Sequence, residues 1–491
     1  MQDRTGASSG GSGRQSTYDE LAVEAAVLRA QNIRLHADND ELTARVGGLE
    51  ARIVELEALV EELRRAGKRQ SAPFSKRAPK QSPAKPGRKP GEDYGTHGMR
   101  KPPDHVDDTI EAPQPEDCPD CGGELDLERM DDQWIVDIPP VANVITRVRV
   151  PVCRCRRCGR RTQGRHPAQT SDALGAAASQ VGPRATALAV ELHKGAGLSL
   201  ARTATVLARL GLAVTPGGVC QAVARAGRRA APTYEAIKSE LAASPVISPD
   251  ETGWRIGGQR AWLWVFATAT LTLYHVARGR GFDQAIEVLP ADYAGTLVRD
   301  GWAPYRRYGA ATHQTCLAHL IRRAGELVET LPAEHRWIPR DAAEILRAAL
   351  GIRDARQRGD YDDATVADAL PVLARCVDTL VGLPAGHDAN RRFLAHIANE
   401  RDALFTFLVD PGVDATNWRS EQGVRPAVVN RKAWGGNRTD VGARTQEVLA
   451  TVLRTAAQQG LDVIALFADL LRSPAPKVAP LNLPLTRPPP S

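Results

Sequence analysis

The sequence predicts a multidomain α+β protein, and three patterns in its 491 residues support this class. A heptad repeat near the N-terminus predicts a long helix, and two spaced cysteine pairs predict a small metal-bound domain. Strand-like segments between about 244 and 316 are flanked by helical ones. The chain has neither an eighteen-residue apolar run nor an apolar secretory signal, so we expect a cytoplasmic protein.

Residues 17–66 carry a heptad repeat in which leucine recurs at every seventh position. Asn32 and Asn39 fall at the a positions, where a buried asparagine favours two strands in fixed register. We therefore predict a parallel coiled coil that makes the protein a homodimer. The alternative is a single amphipathic helix packed on the body of the protein. The d positions are Leu21, Leu28, Leu35, Leu42, Leu49, Leu56 and Leu63.

The segment 67–110 is rich in proline, glycine and basic residues, and we predict a linker arm rather than a folded domain. From Lys68 to Lys89 it contains eight Lys or Arg and no Asp or Glu, within a chain of net charge +6. Concentrated basic charge is typical of contact with nucleic-acid phosphates. The candidate DNA-binding residues of the arm are Lys85, Arg88 and Lys89, and a solubilising linker is the alternative.

Two C-x-x-C pairs, each followed by glycine, predict a zinc-finger-like domain at 111–165. Four thiolates at this spacing suit a closed, tetrahedral and structural Zn²⁺ site. The predicted ligands are Cys118, Cys121, Cys155 and Cys158. Within the domain, the apolar segments Gln133–Ile138 and Ala142–Val152 are predicted to be strands.

The remaining chain divides into helical and strand-like regions. Residues 170–243 are rich in Ala and Leu, and Leu198–Arg209, Gly211 and Thr215–Gly227 fit a helix-turn-helix. Strands are predicted at Val246–Ile247, Ala261–Thr268, Leu271–Ala277 and Thr296–Val298. The predicted units are 17–66, 67–110, 111–165, 170–243 (helical), 244–316 (first part of an α/β core), 317–410 (helical insertion), 411–472 (second part of the core) and 473–491 (a disordered Pro-rich tail).

Two aspartates follow predicted strands. Asp250 comes after Val246–Ile247, and Asp300 comes after Leu297–Val298, so we expect both carboxylates at strand ends on one edge of a sheet. Shared carboxylates can hold two divalent ions about 4 Å apart, and Mg²⁺ prefers such oxygen ligands. A third acidic residue from a helix would complete this set. The alternative for each aspartate is a turn or a helix cap.

Together these motifs resemble the IS66 family of bacterial insertion-sequence transposases. The resemblance runs from the heptad helix to about residue 472. Its motifs include both cysteine pairs, Asp250-Glu251-Thr252, Asp300-Gly301-Trp302 with Tyr305, Cys316-Leu-Ala-His319, and Asn417-x-x-x-Glu421-x-x-x-Arg425-Pro426 running on to Arg431-Lys432.

The resemblance implies an RNase H-like core, interrupted by the helical insertion, that cleaves DNA and transfers strands. The DDE triad that it implies is Asp250, Asp300 and Glu421, holding two Mg²⁺ ions beside the structural Zn²⁺. Arg425, Arg431 and Lys432 would contact DNA near the triad. It also implies accessory proteins encoded by the same element and a nucleoid-associated location.

One departure leaves the third ligand open. Gln422 follows Glu421 where the family usually has arginine, so Glu251 and Glu447 are alternative third ligands. Three other interpretations also remain open. A non-enzymatic dimeric DNA-binding regulator would need only the heptad helix, the basic arm and the cysteine pairs. An RNase H-like nuclease would cleave DNA without strand transfer, and an inactive transposase copy would keep the motifs without the activity.

Overall fold

The computed structural model describes residues 31, 35, 39–57, 102–166, 169–170, 174 and 179–483. The chain divides into two units, Met1–Asp107 and Asp108–Ser491. The described residues form a mixed structure of helices and sheets. Within them, no helix is both long and apolar enough to cross a bilayer.

The first unit contains a described helix, α1, at 39–57. Its heptad side chains are exposed, as expected for an apolar stripe that a second helix would cover. The members of this stripe are Leu42, Val46, Leu49, Ile53 and Leu56. The rest of the 17–66 prediction is largely outside the described residues, as are Lys85, Arg88 and Lys89 of the arm. The coiled coil stays a prediction.

In the cysteine-rich region, β1 (Val152–Arg154) and β2 (Arg161–Gln163) form an antiparallel hairpin around the second cysteine pair. The strands predicted at Gln133–Ile138 and through most of Ala142–Val152 are wrong, because these segments pair with no other strand in the described chain. Apolar content alone does not make a strand, since a strand needs a neighbour for its backbone N–H and C=O groups.

Helices dominate the region that follows. The helix α2 (Pro183–Val190) continues into a π-helical turn, and α3 (Leu200–Arg209) and α4 (Pro216–Ala242) come next. Ser199 and Thr215 cap α3 and α4 by accepting backbone N–H groups. The two helices predicted around Gly211 are confirmed, but α4 ends at Ala242 rather than Gly227, because its apolar face stays buried along its whole length.

The central sheet has five strands in the order β5-β4-β3-β6-β7. The strand β4 is antiparallel to β3 and β5, whereas β6 is parallel to β3 and β7 is parallel to β6. Gly257 and Gly258 form the β3–β4 turn with φ of 59° and 80°, as a two-residue hairpin favours. The bounds are β3 (Val246–Ile256), β4 (Gln259–Ala267), β5 (Thr272–Ala277), β6 (Thr296–Arg299) and β7 (Thr312–Thr315).

The first aspartate lies inside a strand and not at a strand end as predicted. β3 extends to Ile256 because it pairs with β4 along its length, from Ser248 to Ile256. Its pairing with β6 stops at Ile247, so β3 has one partner only where Pro249 occurs. A proline lacks a backbone N–H, and such a one-sided position tolerates it.

Helices cover both faces of the sheet. Leu263 and Val265 of β4 pack in a cluster with α11 (Trp418–Trp434), whereas Trp264 and Phe266 belong to the larger core on the other face. Successive residues of a strand point to opposite faces, so the sheet lies between two helical layers. The second layer includes α4, α12 (Asp440–Gln458) and α13 (Val463–Arg472), with a short helix α5 (Phe282–Ala285) after β5.

Between β7 and α11 the chain forms a helical insertion with its own hydrophobic core. Leu346, Val377 and Phe393 are among the buried residues of this core. The helices predicted across 317–405 are confirmed, and the segment Asn417–Lys432 is helical as well. The insertion contains α6 (Leu317–Thr330), α7 (Trp337–Arg358), α8 (Asp363–Gly382), α9 (Asp388–Asn399) and α10 (Thr406–Val409).

The start of the C-terminal tail is ordered, so the prediction of disorder from 473 onwards is wrong for residues 473–483. The Ala479 N–H donates to the Thr233 hydroxyl at 2.9 Å, and Ala479 and Leu483 are buried in the main core. Pro474 O accepts hydrogen bonds from Arg165 and Arg229. Proline and alanine lose little side-chain entropy on packing, so a segment with few large apolar residues can still be ordered. Residues 484–491 lie outside the described residues.

Candidate active site

The two aspartates lie at equal offsets from a paired position of neighbouring parallel strands, Asp250 within β3 and Asp300 directly after β6. Val246 of β3 pairs with Thr296 of β6, and Asp250 and Asp300 each lie four residues beyond their member of this pair. Parallel strands in register bring residues at equal offsets to the same end of a sheet. The β3–β6 register therefore directs both aspartates to one end of the sheet.

Each aspartate is oriented by a backbone N–H from its own segment. The Asp250 Oδ1 accepts from the Glu251 N–H at 2.8 Å, and the Asp300 Oδ1 accepts from the Trp302 N–H at 2.9 Å. Burial, and after it the negative charges of Glu251, Asp300 and Glu421, raise the pKa of Asp250 to about 8. An acidic site of this kind favours a cation.

Glu421 lies in the first turn of α11 with its side chain 44% exposed. Its Oε1 is 3.5 Å from His319 Nε2 and 3.8 Å from an Arg322 nitrogen, both on α6. Asp250 and Glu421 interact electrostatically across the space between β3 and α11. In the described part of the chain, however, no three His, Cys, Asp or Glu side chains converge with metal-binding geometry.

The two alternative third ligands are both engaged elsewhere. The Glu447 Oε1 accepts from the Val276 N–H at 2.7 Å, and its carboxylate pairs with His275 and Arg444. Glu251 accepts hydrogen bonds from Arg280 and from the Tyr305 hydroxyl. These contacts favour Glu421 as the third ligand, which stays a prediction.

The basic residues predicted near the site differ in orientation. Arg425 is exposed on α11, and helical geometry places it and Lys432 within about 40° of Glu421 around the axis. Arg431 instead points inward, where its guanidinium binds Gly253 O and lies 3.4 Å from the Thr252 hydroxyl. Burial lowers the pKa of Arg431. This inward orientation does not support the prediction that Arg431 binds DNA. The sequence alone does not show which face of α11 packs against β3.

A family model described as "Transposase IS66 family" matches residues 178–445, more than half of the chain, including Asp250, Asp300 and Glu421. The chain belongs to the IS66 transposase family. The IS66 resemblance inferred from the motifs is thereby confirmed. A second model, described as the zinc-finger binding domain of transposase IS66, matches residues 115–159, which contain both cysteine pairs.

One curated relative of this IS66 family member is an uncharacterized protein, y4qI, of Sinorhizobium fredii (strain NBRC 101917 / NGR234). The two are 24% identical over 225 residues, which cover 41% of this chain and 42% of the relative. The chain thus spans about two fifths of the length of that relative, whose name gives no activity.

The two cysteine pairs of this IS66 protein form matching turns. Gly122 and Gly159, each four residues after the first cysteine of a pair, have φ of 72° and 71° and donate their N–H groups to that cysteine's carbonyl. Hydrogen bonds from the neighbouring backbone and from the second thiol lower the pKa of Cys118 and of Cys155. Each pair is thus shaped for thiolate ligands, but the described chain does not bring the two pairs together around one ion.

Two charged residues near the site were missed by sequence reasoning. Arg280 binds Glu251 and stacks on the ring of Trp302, with 3.8 Å between the guanidinium carbon and the ring centroid. Glu400 of the insertion is fully buried and binds Arg299, the residue before Asp300. Neither belongs to a motif, and each is far in sequence from its partner, so no local pattern marks them.

Proposed function

We propose that this IS66 family member is a DDE transposase that cleaves DNA at the ends of its own element and joins the freed 3′ ends to a target. The observation that carries the proposal is the placement of Asp250 and Asp300 at equal offsets from a paired position of two adjacent parallel strands, with Glu421 on the helix covering that face. Cleavage of phosphodiesters by such an acidic set requires divalent ions.

The sheet topology supports an RNase H-like core. The first three strands, β3, β4 and β5, form an antiparallel meander. The strands β6 and β7 are added in parallel on the other side of β3, so that β3 lies at the centre of the sheet. Asp250 comes from the central strand, Asp300 directly follows its parallel neighbour, and the glutamate comes from a later helix. The helical insertion separates β7 from α11, so it lengthens the chain between Asp300 and Glu421 without breaking the sheet.

The donor set fits Mg²⁺. All three candidate ligands are carboxylates, and hard divalent ions prefer oxygen. Asp250 is held with a raised pKa by burial and by its acidic neighbours, so a bound cation would relieve an unfavourable concentration of negative charge. A pair of ions here would supply an activated water and stabilise the departing 3′ oxygen. The protein itself would orient the carboxylates through the Glu251 and Trp302 N–H groups.

DNA contacts are proposed for three regions. Arg425 and Lys432 share the face of α11 that carries Glu421, and they would neutralise phosphates beside the cleavage site. Lys85, Arg88 and Lys89 of the arm would bind backbone phosphates without sequence preference. The cysteine pairs would hold a structural Zn²⁺ and present the arginines of the β1–β2 hairpin to DNA.

Dimerisation through the heptad helix would bring two active sites to a reaction that joins two element ends. Leu42, Leu49 and Leu56 of α1 are exposed at heptad d positions, which favours packing of a second helix against this apolar stripe. Accessory proteins encoded by the same element are further proposed partners.

The test is cleavage of labelled DNA carrying the element ends, with and without Mg²⁺ and with any accessory proteins supplied. We expect metal-dependent nicking at the element boundary that Asp300→Asn abolishes while DNA binding persists. Asp292→Asn, which alters an exposed carboxylate shortly before β6, is the matched control and should leave cleavage unchanged. Binding without cleavage by the wild-type protein would contradict the proposal and favour a regulator or an inactive copy.

A further inference from the structure

Glu251 follows Asp250 on β3, and the pleat of the strand turns its side chain to the opposite face of the sheet. There the side chain is 1% exposed. Its Oε1 accepts a hydrogen bond from Arg280 Nε at 2.7 Å, and its Oε2 accepts one from the Tyr305 hydroxyl. Both oxygens are therefore engaged on the face away from Asp250.

One partner of Glu251 belongs to the segment that carries Asp300, and the other partner contacts that segment. Tyr305 lies in the 3-10 turn Ala303–Arg307, directly after Asp300, and is fully buried with its ring edge-to-face on Trp264. The Arg280 guanidinium stacks on Trp302, whose backbone N–H donates to the Asp300 carboxylate. Glu251 is thus connected to the Asp300 segment through Tyr305 and also through Arg280 and Trp302.

These side-chain contacts occur where backbone pairing has ended. The parallel ladder between β3 and β6 stops at Ile247 and Leu297, three residues before each aspartate. Beyond that point the two segments are joined by the Tyr305–Glu251 hydrogen bond and by Arg280 between Glu251 and Trp302. Between β3 and the Asp300 segment, these side chains therefore supply contacts where the β3–β6 sheet hydrogen bonds have ended.

We propose that Glu251 is a positioning residue, which sets the distance and orientation of Asp300 relative to Asp250 through Tyr305 and Arg280. This inference rests on the proposed function, because it concerns the alignment of carboxylates that share divalent ions. Such ligands must be held within about 0.5 Å of their working geometry. Residues that support metal ligands typically change metal affinity by about 10- to 100-fold when altered.

The test uses the full chain with Tyr305→Phe and Glu251→Gln, compared with Tyr308→Phe. Tyr308 is a matched control, since its buried hydroxyl donates to the Leu289 carbonyl at 3.0 Å and makes no contact with Glu251. Mn²⁺ binding is measured by electron paramagnetic resonance, and the Mg²⁺ concentration for half-maximal cleavage is measured on element-end DNA. We expect both site variants to need about tenfold more metal. Tyr308→Phe should match the wild type.

The outcomes separate this inference from the proposed function. If the wild-type protein binds Mn²⁺ and Asp300→Asn abolishes binding, the metal site stands. Tyr305→Phe and Glu251→Gln with unchanged metal dependence would then overturn the positioning role alone. If the wild-type protein binds no Mn²⁺, the proposed function itself fails. Loss of cooperative unfolding in both site variants would also overturn the inference, because Glu251 would then determine stability rather than carboxylate alignment.

Discussion

The carboxylate of Glu400 lies 2.7 Å from the guanidinium of Arg299, and both side chains are almost completely buried. Glu400 follows α9 in the insertion, whereas Arg299 ends β6 directly before Asp300. The second oxygen of Glu400 binds Arg306 at 2.7 Å, in the turn after Asp300. The insertion therefore contacts the segment around Asp300 both before and after this aspartate, at Arg299 and at Arg306.

Replacing Glu400 should be among the most destabilising single changes in this unit. Glu400→Ala would leave the Arg299 guanidinium buried without its counter-charge, which costs about 3–5 kcal/mol of unfolding free energy. Urea unfolding followed by circular dichroism measures this loss. Asp402→Ala is the control, because Asp402 is 92% exposed in its pair with Arg401 and should change stability by no more than about 1 kcal/mol. Equal losses in the two variants would contradict a buried ion pair.

The pKa of Asp250 predicts a pH dependence of stability in metal-free protein. The folded state keeps the Asp250 proton up to about pH 8, whereas the unfolded chain loses it near its ordinary value of about 4. The folded state therefore binds more protons in this window, and its stability falls as pH rises, by at most about 1.4 kcal/mol per pH unit for one group.

Asp250→Asn should remove that contribution, so the melting temperature between pH 5 and pH 8 should decline less than in the wild type. At pH 8 we expect the variant to melt higher by roughly 2 °C or more in the absence of metal. Mg²⁺ should raise the wild-type melting temperature at pH 8 but not that of the variant. Differential scanning fluorimetry across pH, with Asp292→Asn as control, checks both expectations. Identical pH profiles for wild type and Asp250→Asn would exclude a buried, protonated Asp250.

Short-range patterns predicted much of the fold. Alternating and continuous apolar runs predicted the ends of β4 and β5 to within two residues, and the glycine between α3 and α4 lies in a turn. The short apolar segments before Asp250 and Asp300 were also predicted as strands, and these segments pair with each other in the structure. These features depend on neighbours within a few residues, which a single sequence displays.

Features that depend on distant partners were not predictable. The length of β3 is set by its pairing with β4, and the ordered tail depends on Thr233, which lies far from Ala479 in the chain. The inward turn of Arg431 depends on which face of α11 meets β3. In each case the deciding contact is between segments whose proximity only the folded chain defines.

Side chains of α12 accept hydrogen bonds from backbone N–H groups along the outer edge of β5. Thr451 and Thr455 accept the N–H groups of Tyr274 and Thr272, at 3.0 and 3.2 Å, and Glu447 accepts that of Val276. Four residues of helix rise about 6 Å and two residues of strand about 6.8 Å, so the two spacings nearly match. An exposed strand edge would otherwise invite pairing with another chain.

Thr451→Val keeps the shape of the side chain but leaves the buried Tyr274 N–H without an acceptor. We expect a loss of about 1–3 kcal/mol in unfolding free energy and a greater tendency to aggregate. Thr205→Val is the control, since Thr205 is exposed and its hydroxyl bonds only to the carbonyl of Ala201 in its own helix. Denaturant unfolding and light scattering measure the two effects. A Thr451→Val protein as stable as the control would show that the edge contact contributes little.

The heptad helix predicts a change of oligomeric state on substitution at the seam. Leu49 occupies a d position and is 64% exposed in the single chain, whereas Val54 occupies the outer b position and is 65% exposed. Burial of a leucine side chain contributes about 1.5–3 kcal/mol, so Leu49→Asp should weaken a dimer through the loss of this term from both chains. Val54→Asp adds the same charge at the same exposure outside the seam and should leave the dimer intact. Sedimentation velocity distinguishes the species, and equal behaviour of both variants would favour a single helix over a coiled coil.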